Sequence, residues 1–429
     1  MNIFYDFLKE NKNFIKLKKY ITDNKTPVLT TGVIDAQKCH LISGILSECE
    51  NSSLVITHSE LKAKEIYNDL KFFMKDRVML YPSKDIIFYW ADVKSLDIIK
   101  QRFNIISKII NGEKLTVVLS AEALFDRLVP PEIFKEFIFD IKTGDRIDIN
   151  KISRDLVLMG YERCEMAEGQ GQFALRGGIL DIYSSVSSYP VRIELWDDEV
   201  DSIRILDPVS QRSVENIQSI RIYPMRELVY KDEAVETAVS NIEKELNSIS
   251  SPPDSLKISV EETIQKLSSH RSFSGIEKFI TYFYDNTCTL IDYFNDPLIF
   301  ADEPNRISEH CEFITREFVN SLESRIDKGT MLPGQLKMIY TYDDIISRIE
   351  QNRSVLMTSL MTTLKDYKPK ELVDFQVKAA ALVKNNMDLI SEDLSYMAKK
   401  DYRIIFLAGG HTHCERMFTE LHERNLKAV

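Results

Sequence analysis

The segment that most resembles a catalytic motif is residues 31–40, Thr-Gly-Val-Ile-Asp-Ala-Gln-Lys-Cys-His, between an apolar strand pattern and a helical one. A phosphate-binding loop at such a position needs G-x-x-x-x-G-K-[ST], because glycines let backbone N–H groups surround phosphate, Lys supplies charge and a hydroxyl binds Mg²⁺. Gly32 and Lys38 fit this spacing, but Gln37 replaces the second glycine and Cys39 replaces the hydroxyl residue. A Cβ at position 37 restricts the backbone, and a thiol is a poor Mg²⁺ ligand. The pattern therefore indicates a degenerate loop that binds no nucleotide.

Other residues with catalytic potential fit simpler structural explanations. The sequence is interpreted as lacking an Asp-Glu box at the end of an apolar strand, the acidic feature that would complete a nucleotide site. His411 and His413 are two residues apart at a helix start, so they do not share a helical face as metal ligands would. The six cysteines form no C-x-x-C pair, which favours reduced thiols in a cytoplasm. We therefore expect no catalytic residue, no metal and no cofactor in this chain.

A second group of residues suits protein binding rather than catalysis. Arg192, Glu194 and Trp196 alternate along one strand pattern with apolar residues, so they share one face while the apolar side chains enter the core. Arg176 on a neighbouring strand pattern could lie beside them. Exposed Arg and Trp flanked by carboxylates is the composition of a protein-binding hot spot. An ordinary amphipathic strand with surface ion pairs explains the same pattern and stays open at this point.

The elements that must position these residues begin with an α/β pattern over residues 27–130. Four short apolar runs predict buried parallel strands, Pro27–Thr30, Leu54–Thr57, Val78–Tyr81 and Thr116–Leu119. Helical patterns lie between them, and the clearest covers Leu96–Ile110 and ends before Gly112. The fold class predicted is α/β, with a Rossmann-like, helicase-like parallel sheet.

The pattern changes near residue 141. Over 141–226 apolar and polar residues alternate between turn signals, which predicts a small α+β domain. After residue 227 the pattern predicts further helices and strands, namely helices at Asp232–Leu246 and Asn305–Ile326 and strands at Leu298–Ala301, Leu336–Tyr340 and Val355–Thr358. If these strands complete the first sheet, the small domain is an insertion into a larger α/β domain.

The predicted organisation has five segments. Residues 1–140 and 227–360 form the two parts of the first domain, 141–226 the second domain, 361–375 a polar, Lys-rich linker and 376–429 a small α/β domain. In this last segment we expect helices at Met387–Lys399 and Thr412–Arg424 and a strand at Arg403–Ala408. The chain stops where a further strand could begin, so we expect a piece of a longer protein.

Composition limits the function classes. With 429 residues the chain exceeds what one core usually serves, and 44% of its residues are apolar. The net charge of −11 opposes tight, nonspecific binding of nucleic acid by the chain as a whole. No apolar run approaches the roughly 18 residues of a membrane span, and the start has no secretory h-region. We expect a cytoplasmic protein that does not bind membranes.

Three stretches together resemble a known domain. Residues 171–183 (Gly-Gln-Phe-Ala-Leu-Arg-Gly-Gly-Ile-Leu-Asp-Ile-Tyr), 190–204 and 207–213 are similar to the second domain of the bacterial transcription-repair coupling factors (Mfd), which also occurs in the excision-repair protein UvrB. The ending Ser-Gln-Arg-Ser at 210–213 and the run Leu-Tyr-Pro-Ser-Lys-Asp at 80–85 favour the coupling factors. The likeness extends more loosely over the whole chain, as an amino-terminal UvrB-like module followed by a small domain.

This resemblance implies a module that recruits UvrA through its second domain and has a degenerate nucleotide loop. The family's UvrA-contacting arginines fall on Arg176 and Arg192, and its neighbouring aromatic falls on Trp196, where the family more often has Phe. UvrB grips DNA with an aromatic hairpin, for which Tyr81–Ala91 leaves no room before the 94–111 helix. Contacts with RNA polymerase and DNA, and use of ATP and Mg²⁺, would belong to domains absent here. Those domains could also mask the docking face.

The favoured hypothesis is a non-catalytic recruitment module that brings nucleotide excision repair to stalled RNA polymerase. Arg176 and Arg192 would form charge-assisted hydrogen bonds to acidic groups of UvrA, with Glu194 beside them and Trp196 excluding water. The alternative hypothesis is an enzyme, an ATP-dependent helicase-like or damage-verification subunit of the UvrB type.

Overall fold

The computed structural model describes residues 3–49, 51–84, 96–184, 186–269, 273, 275–377, 387–405, 410–424 and 426. The chain divides into two compact units, residues 1–376 and 377–429. Each unit is described by itself.

The first unit begins with an alternation of helices and strands. Its elements up to residue 158 are α1 (Ile3–Glu10), α2 (Lys12–Thr22), β1 (Val28–Thr31), α3 (Ala36–Leu46), β2 (Ser53–Thr57), α4 (Glu60–Met74), β3 (Val78–Tyr81), α5 (Leu96–Ile110), β4 (Thr116–Ser120), α6 (Pro131–Lys135), β5 (Phe139–Lys142) and α7 (Ile149–Leu158). Short 3₁₀ helices lie at Lys75–Arg77 and Ala121–Leu124.

A run of strands follows, and then helices dominate. The strands are β6 (Glu162–Arg163), β7 (Gln172–Arg176), β8 (Ile179–Tyr183), β9 (Val191–Trp196), β10 (Glu199–Leu206), β11 (Ser213–Ile217) and β12 (Ser219–Ile222). The remaining elements of this unit are α8 (Asp232–Ser248), α9 (Asp254–Ser268), α10 (Ile280–Phe283), β13 (Leu298–Asp302), α11 (Pro304–Asp327), α12 (Tyr342–Gln351), β14 (Arg353–Met357) and β15 (Glu371–Asp374), with 3₁₀ helices at Ile276–Phe279, Leu290–Tyr293 and Pro333–Met338.

Within the described ranges, seven parallel strands form the central sheet, in the order β15-β1-β14-β13-β2-β4-β3. Every residue of β1, β2, β4 and β13 is buried, because helices cover both faces of a parallel sheet and leave near-continuous apolar runs inside. The four predicted parallel strands and the helix Leu96–Ile110 are confirmed. The Rossmann-like α/β class is therefore confirmed for this unit.

The chain leaves this sheet after β4 and returns to it at β13. In between it forms a six-stranded sheet in the order β11-β10-β9-β8-β7-β6, antiparallel except for the β6–β7 pair, and a two-stranded sheet of β5 and β12. The prediction that the strands near 298 and 355 complete the first sheet is confirmed, so the α+β segment is an insertion. The segment boundaries at 140, 226 and 360 stay predictions.

Two predicted features of residues 330–375 are wrong. The strand predicted at Leu336–Tyr340 is a 3₁₀ helix over Pro333–Met338, since a proline at its first position suits a helical turn and Gln335 caps it by accepting from the Leu332 N–H. The predicted linker 361–375 contains β15, which pairs with β1 along the edge of the sheet. The sequence pattern does not indicate β15, because this strand contains only two apolar residues, Leu372 and Val373. A strand at the edge of a sheet is less completely enclosed than a central strand, so it can carry polar residues.

The second unit contains two described helices, α13 (Met387–Lys399) and α14 (His411–Glu423). Both predicted helices are confirmed. In the strand predicted at Arg403–Ala408, residues 403–405 have no regular secondary structure, and 406–408 lie outside the described residues.

Two further expectations concern a DNA-gripping hairpin and membranes. Residues 85–91 of the Tyr81–Ala91 passage lie outside the described residues, so the absence of a hairpin there stays a prediction. Among the helices in the described part of the chain, none is long and apolar enough to cross a bilayer.

Candidate partner-binding surface

The six-stranded sheet of the insertion has one buried face and one open face. Alternate residues of β9 are buried at Val191 and Ile193 and partly exposed at Arg192 and Glu194, as the period of two in a strand requires. We call the side chains of Arg176, Asp181, Arg192, Glu194 and Trp196 on the open face the Arg–Trp surface. The structure brings all four predicted partner-binding residues onto it and adds Asp181.

The two arginines share one carboxylate. Asp181 lies directly opposite Arg192 across the β8–β9 pair. Its Oδ1 accepts from Arg192 Nε at 2.7 Å, and its Oδ2 accepts from Arg192 Nη2 at 2.8 Å and from Arg176 Nη2 at 2.9 Å. The side chain of Asp181 is 1% exposed, whereas those of Arg192 and Arg176 are 22% and 49% exposed. The hydrogen bond with Asp181 raises the pKa of Arg192 above its ordinary value.

Glu194 is also paired within the sheet. Its Oε2 accepts from Arg204 Nη2 at 2.9 Å and from the Ser202 hydroxyl at 3.0 Å, both on β10. These cross-strand bonds neutralise Glu194 and fix its position. Glu194 therefore borders the arginines as part of a local ion pair and does not take up their charge.

Trp196 ends β9 and is 82% exposed. It faces Glu199 across the β9–β10 hairpin, whose tight turn contains Asp197 with a positive φ of 59°, a conformation that aspartate tolerates well. A turn of this kind leaves little backbone to cover the last residue of the strand. A large indole is thus presented to solvent on the same face of the sheet as two ordered guanidinium groups.

A groove borders the Arg–Trp surface on the side of β6 and β7. The groove has a volume of about 940 Å³, and its lining includes Arg163, Met166, Leu175 and Arg176. Met166 is exposed to solvent there. Because Arg176 lines both features, an apolar side chain of a partner could enter the groove while its acidic groups reach the arginines.

The degenerate nucleotide loop lies at the carboxyl edge of the central sheet. Lys38 is buried, and its Nζ lies 2.6 Å from Asp302 Oδ1 and 2.6 Å from Glu303 Oε1. Asp302 ends β13 and Glu303 follows it, so an Asp-Glu box does stand at the end of an apolar strand. The interpretation that this box is lacking is wrong. The run Leu-Ile-Phe-Ala before Asp302 was the sequence signal that could have revealed it.

The chain's own atoms crowd Gly32 at the start of the loop. Gly32 has a φ of 71°, and a Cβ there would lie 2.7 Å from the Gln376 backbone nitrogen and 2.9 Å from Asp374 Oδ1. Cys39 is buried, and burial raises the pKa of its thiol to about 12, so it stays protonated and is a poor ligand for Mg²⁺. The Oε1 atom of Gln37 is buried and has no hydrogen-bond partner in the part of the chain that the structure describes. The structure thus places the four predicted loop residues together, namely Gly32, Gln37, Lys38 and Cys39. The charge of Lys38 is neutralised by ion pairs within the fold.

Among the described residues, no group of three or more His, Cys, Asp or Glu side chains is placed to hold a metal ion. His411 lies 3.4 Å from Glu415, one helical turn along α14.

Comparison with known proteins matches both this part of the chain and the chain as a whole. Residues 139–228 match a family model described as the UvrB interaction domain. The chain is 28% identical to the transcription-repair-coupling factor of Bacillus subtilis (strain 168), over 99% of this chain and 36% of that protein. It is 27% identical to the transcription-repair-coupling factor of Staphylococcus haemolyticus (strain JCSC1435), over 100% of this chain and 37% of that protein.

The chain thus spans little more than a third of the length of these relatives. The matches confirm the resemblance to the UvrB-like module of the transcription-repair coupling factors. The whole Arg–Trp surface lies inside the matched range 139–228.

Proposed function

We propose that this chain is a non-catalytic recruitment module that binds UvrA through the Arg–Trp surface. One observation carries the proposal. Trp196 is 82% exposed and lies on the same face of the sheet as two arginines that a buried Asp181 orders. This surface lies within the range that matches the UvrB interaction domain. Arg and Trp are the residue types that most often dominate binding energy at interfaces.

Each arginine retains donors for a partner. Arg192 uses Nε and Nη2 on Asp181, and Arg176 uses Nη2, so Nη1 of both and Nε of Arg176 are available for acidic groups of UvrA. Charge-assisted bonds of this type are short and roughly twice as strong as neutral ones. Trp196 would lie against apolar partner atoms and keep water away from these bonds.

The name of the relatives supports a proposed role for the whole protein. A transcription-repair coupling factor would bring nucleotide excision repair to stalled RNA polymerase in the cytoplasm. In this proposal the contacts with RNA polymerase and DNA, and the use of ATP and Mg²⁺ for translocation, belong to parts of the protein outside this chain. The chain itself contributes the recruitment of UvrA.

A second candidate function, an ATP-dependent helicase-like or damage-verification subunit, is favoured by the Asp302–Glu303 box at the sheet edge. The internal ion pairs of Lys38 and the crowding over Gly32 weigh against it. Titration with Mg²⁺ and ATP separates the two functions. A bound nucleotide at 100 times its Kd would stabilise the fold by about 2.7 kcal/mol and raise Tm, whereas the recruitment module should show no shift.

The test of the recruitment function is a calorimetric titration of UvrA with the 429-residue chain and its Trp196→Ala variant. Losing a hot-spot indole should weaken binding by about 2 kcal/mol or more, which is roughly 30-fold in Kd. Phe313→Ala on α11 is the matched control, because Phe313 is also an exposed aromatic and lies outside the 139–228 range. The proposal fails if wild type does not bind UvrA or if the two variants bind equally well.

A further inference from the structure

The Arg–Trp surface depends on one buried group that does not itself face a partner. Asp181 accepts all three hydrogen bonds that link the two guanidinium groups to the sheet. On the neighbouring strand β7, Asp181 is paired with Ala174, whose small side chain leaves room above the sheet. Arg176 lies two residues along β7 from Ala174 and so points to the same face.

The charges on this face nearly cancel. Arg176 and Arg192 carry two positive charges and Asp181 one negative charge, while Glu194 is paired with Arg204. Counted together with Arg204, the surface therefore has a net charge of +1. A count of charges alone says that removing Asp181 would raise this to +2 and strengthen the attraction for an acidic partner.

Geometry leads to the opposite expectation. A free arginine side chain has many rotamers, and ordering it on binding costs conformational free energy. A carboxylate that is 1% exposed and bonded to both arginines has already ordered them. Without it, each guanidinium group would have to be ordered by the partner.

We infer that Asp181 is a positioning residue that holds Arg176 and Arg192 in the geometry that the partner's acidic groups require. The inference rests on the proposed function, because it describes how the surface meets UvrA. A buried acid would then strengthen the binding of an acidic partner, because it orders the arginines that contact that partner.

The test compares UvrA binding by the 429-residue chain and its Asp181→Asn variant. Asparagine preserves size but has one acceptor oxygen, so it cannot accept the same set of bonds from both arginines. We expect Kd to rise at least tenfold. Asp140→Asn is the matched control, because Asp140 holds Arg221 by two similar bonds of 2.7 and 2.8 Å on β5 of the same insertion, and its binding should be unchanged. Circular dichroism and Tm verify that each variant is folded.

Equal or tighter binding by folded Asp181→Asn would overturn the inference. If that variant does not fold, nitrogen-15 NMR spectra of the wild type test whether Asp181 orders the arginine side chains. Slow hydrogen exchange at Arg192 Nε, compared with exposed Arg212, supports the inference, and equally fast exchange at the two sites overturns it. A loss of binding in Trp196→Ala with none in Asp181→Asn contradicts the positioning role alone, whereas no binding by wild type contradicts the proposed function and this inference together.

Discussion

Lys38 is predicted to stabilise the fold as a buried counterion. Its side chain is 7% exposed and contacts Asp302, which is 2% exposed, and Glu303. In Lys38→Met, Asp302 would lose its buried cation and keep the neutral Thr57 hydroxyl at 3.1 Å as a donor. Removing one partner of a buried ion pair typically costs about 3–5 kcal/mol, because an uncompensated charge stays buried. That is a large share of the roughly 5–15 kcal/mol by which a folded protein is stable.

Urea unfolding followed by circular dichroism measures this loss through the shift of the midpoint at unchanged slope. The matched control is Lys108→Met, since Lys108 pairs with Glu113 at 2.9 Å on the surface and such pairs are worth less than about 1 kcal/mol. The double variant Lys38→Met, Asp302→Asn should recover part of the loss, because it removes both buried charges. A loss below about 1 kcal/mol in Lys38→Met, with no coupling to Asp302→Asn, would refute the counterion role.

The pH dependence supplies a second measurement of the same prediction. Burial would raise the pKa of Glu303, but hydrogen bonds from Lys38 and Ser359 lower it below its ordinary value. A carboxylate with a lowered pKa contributes stability above its unfolded pKa of about 4.3, and this is lost as the pH falls through the folded value. Stability of the wild type should therefore fall below about pH 4, and Lys38→Met should show a smaller fall.

Two further predictions concern other charged residues. Arg192→Ala should weaken UvrA binding by about 2 kcal/mol or more, because a preordered arginine anchor is lost, and calorimetric titration of the folded variant measures it; unchanged affinity would exclude Arg192 from the interface. Glu227→Gln should destabilise the fold by about 1.5–3 kcal/mol in urea unfolding, because Glu227 accepts from the fully buried Arg102 at 2.6 Å while Asp126 at 2.7 Å still compensates that arginine, and a loss below about 1 kcal/mol would contradict this.

The central sheet was predictable from sequence where its strands are buried on both faces. Thr116–Ser120 and Leu298–Asp302 are runs in which apolar residues dominate, and such runs identify strands of a covered parallel sheet. Glu371–Asp374 belongs to the same sheet, but its edge position permits polar ends and gives no such run. At Pro333–Met338 the apolar spacing indicated a strand, while the proline and the Gln335 cap determined a 3₁₀ helix.

The candidate surface was predictable only in part. The period of two placed Arg192, Glu194 and Trp196 on one face, because that periodicity is local to one strand. The role of Asp181 depends on its register with Arg192 across two strands, and no local pattern gives that register. An acid in the middle of the apolar run Ile179–Tyr183 was the available signal, since a buried charge needs a partner.

The two charged centres of this chain differ in what they leave for a partner. At the sheet edge, Lys38 is enclosed by Asp302 and Glu303, so its charge is compensated within the fold. On the inserted sheet, Asp181 compensates one of two arginines, and a net positive charge remains on the face that also carries an exposed indole. A partner binds only if its contacts contribute more free energy than the internal contacts and solvation that they replace. The inserted sheet is therefore the better candidate for recognition. The parallel sheet then acts as the scaffold that carries it, and the buried Arg102–Glu227 pair joins α5 to the chain as it leaves the insertion.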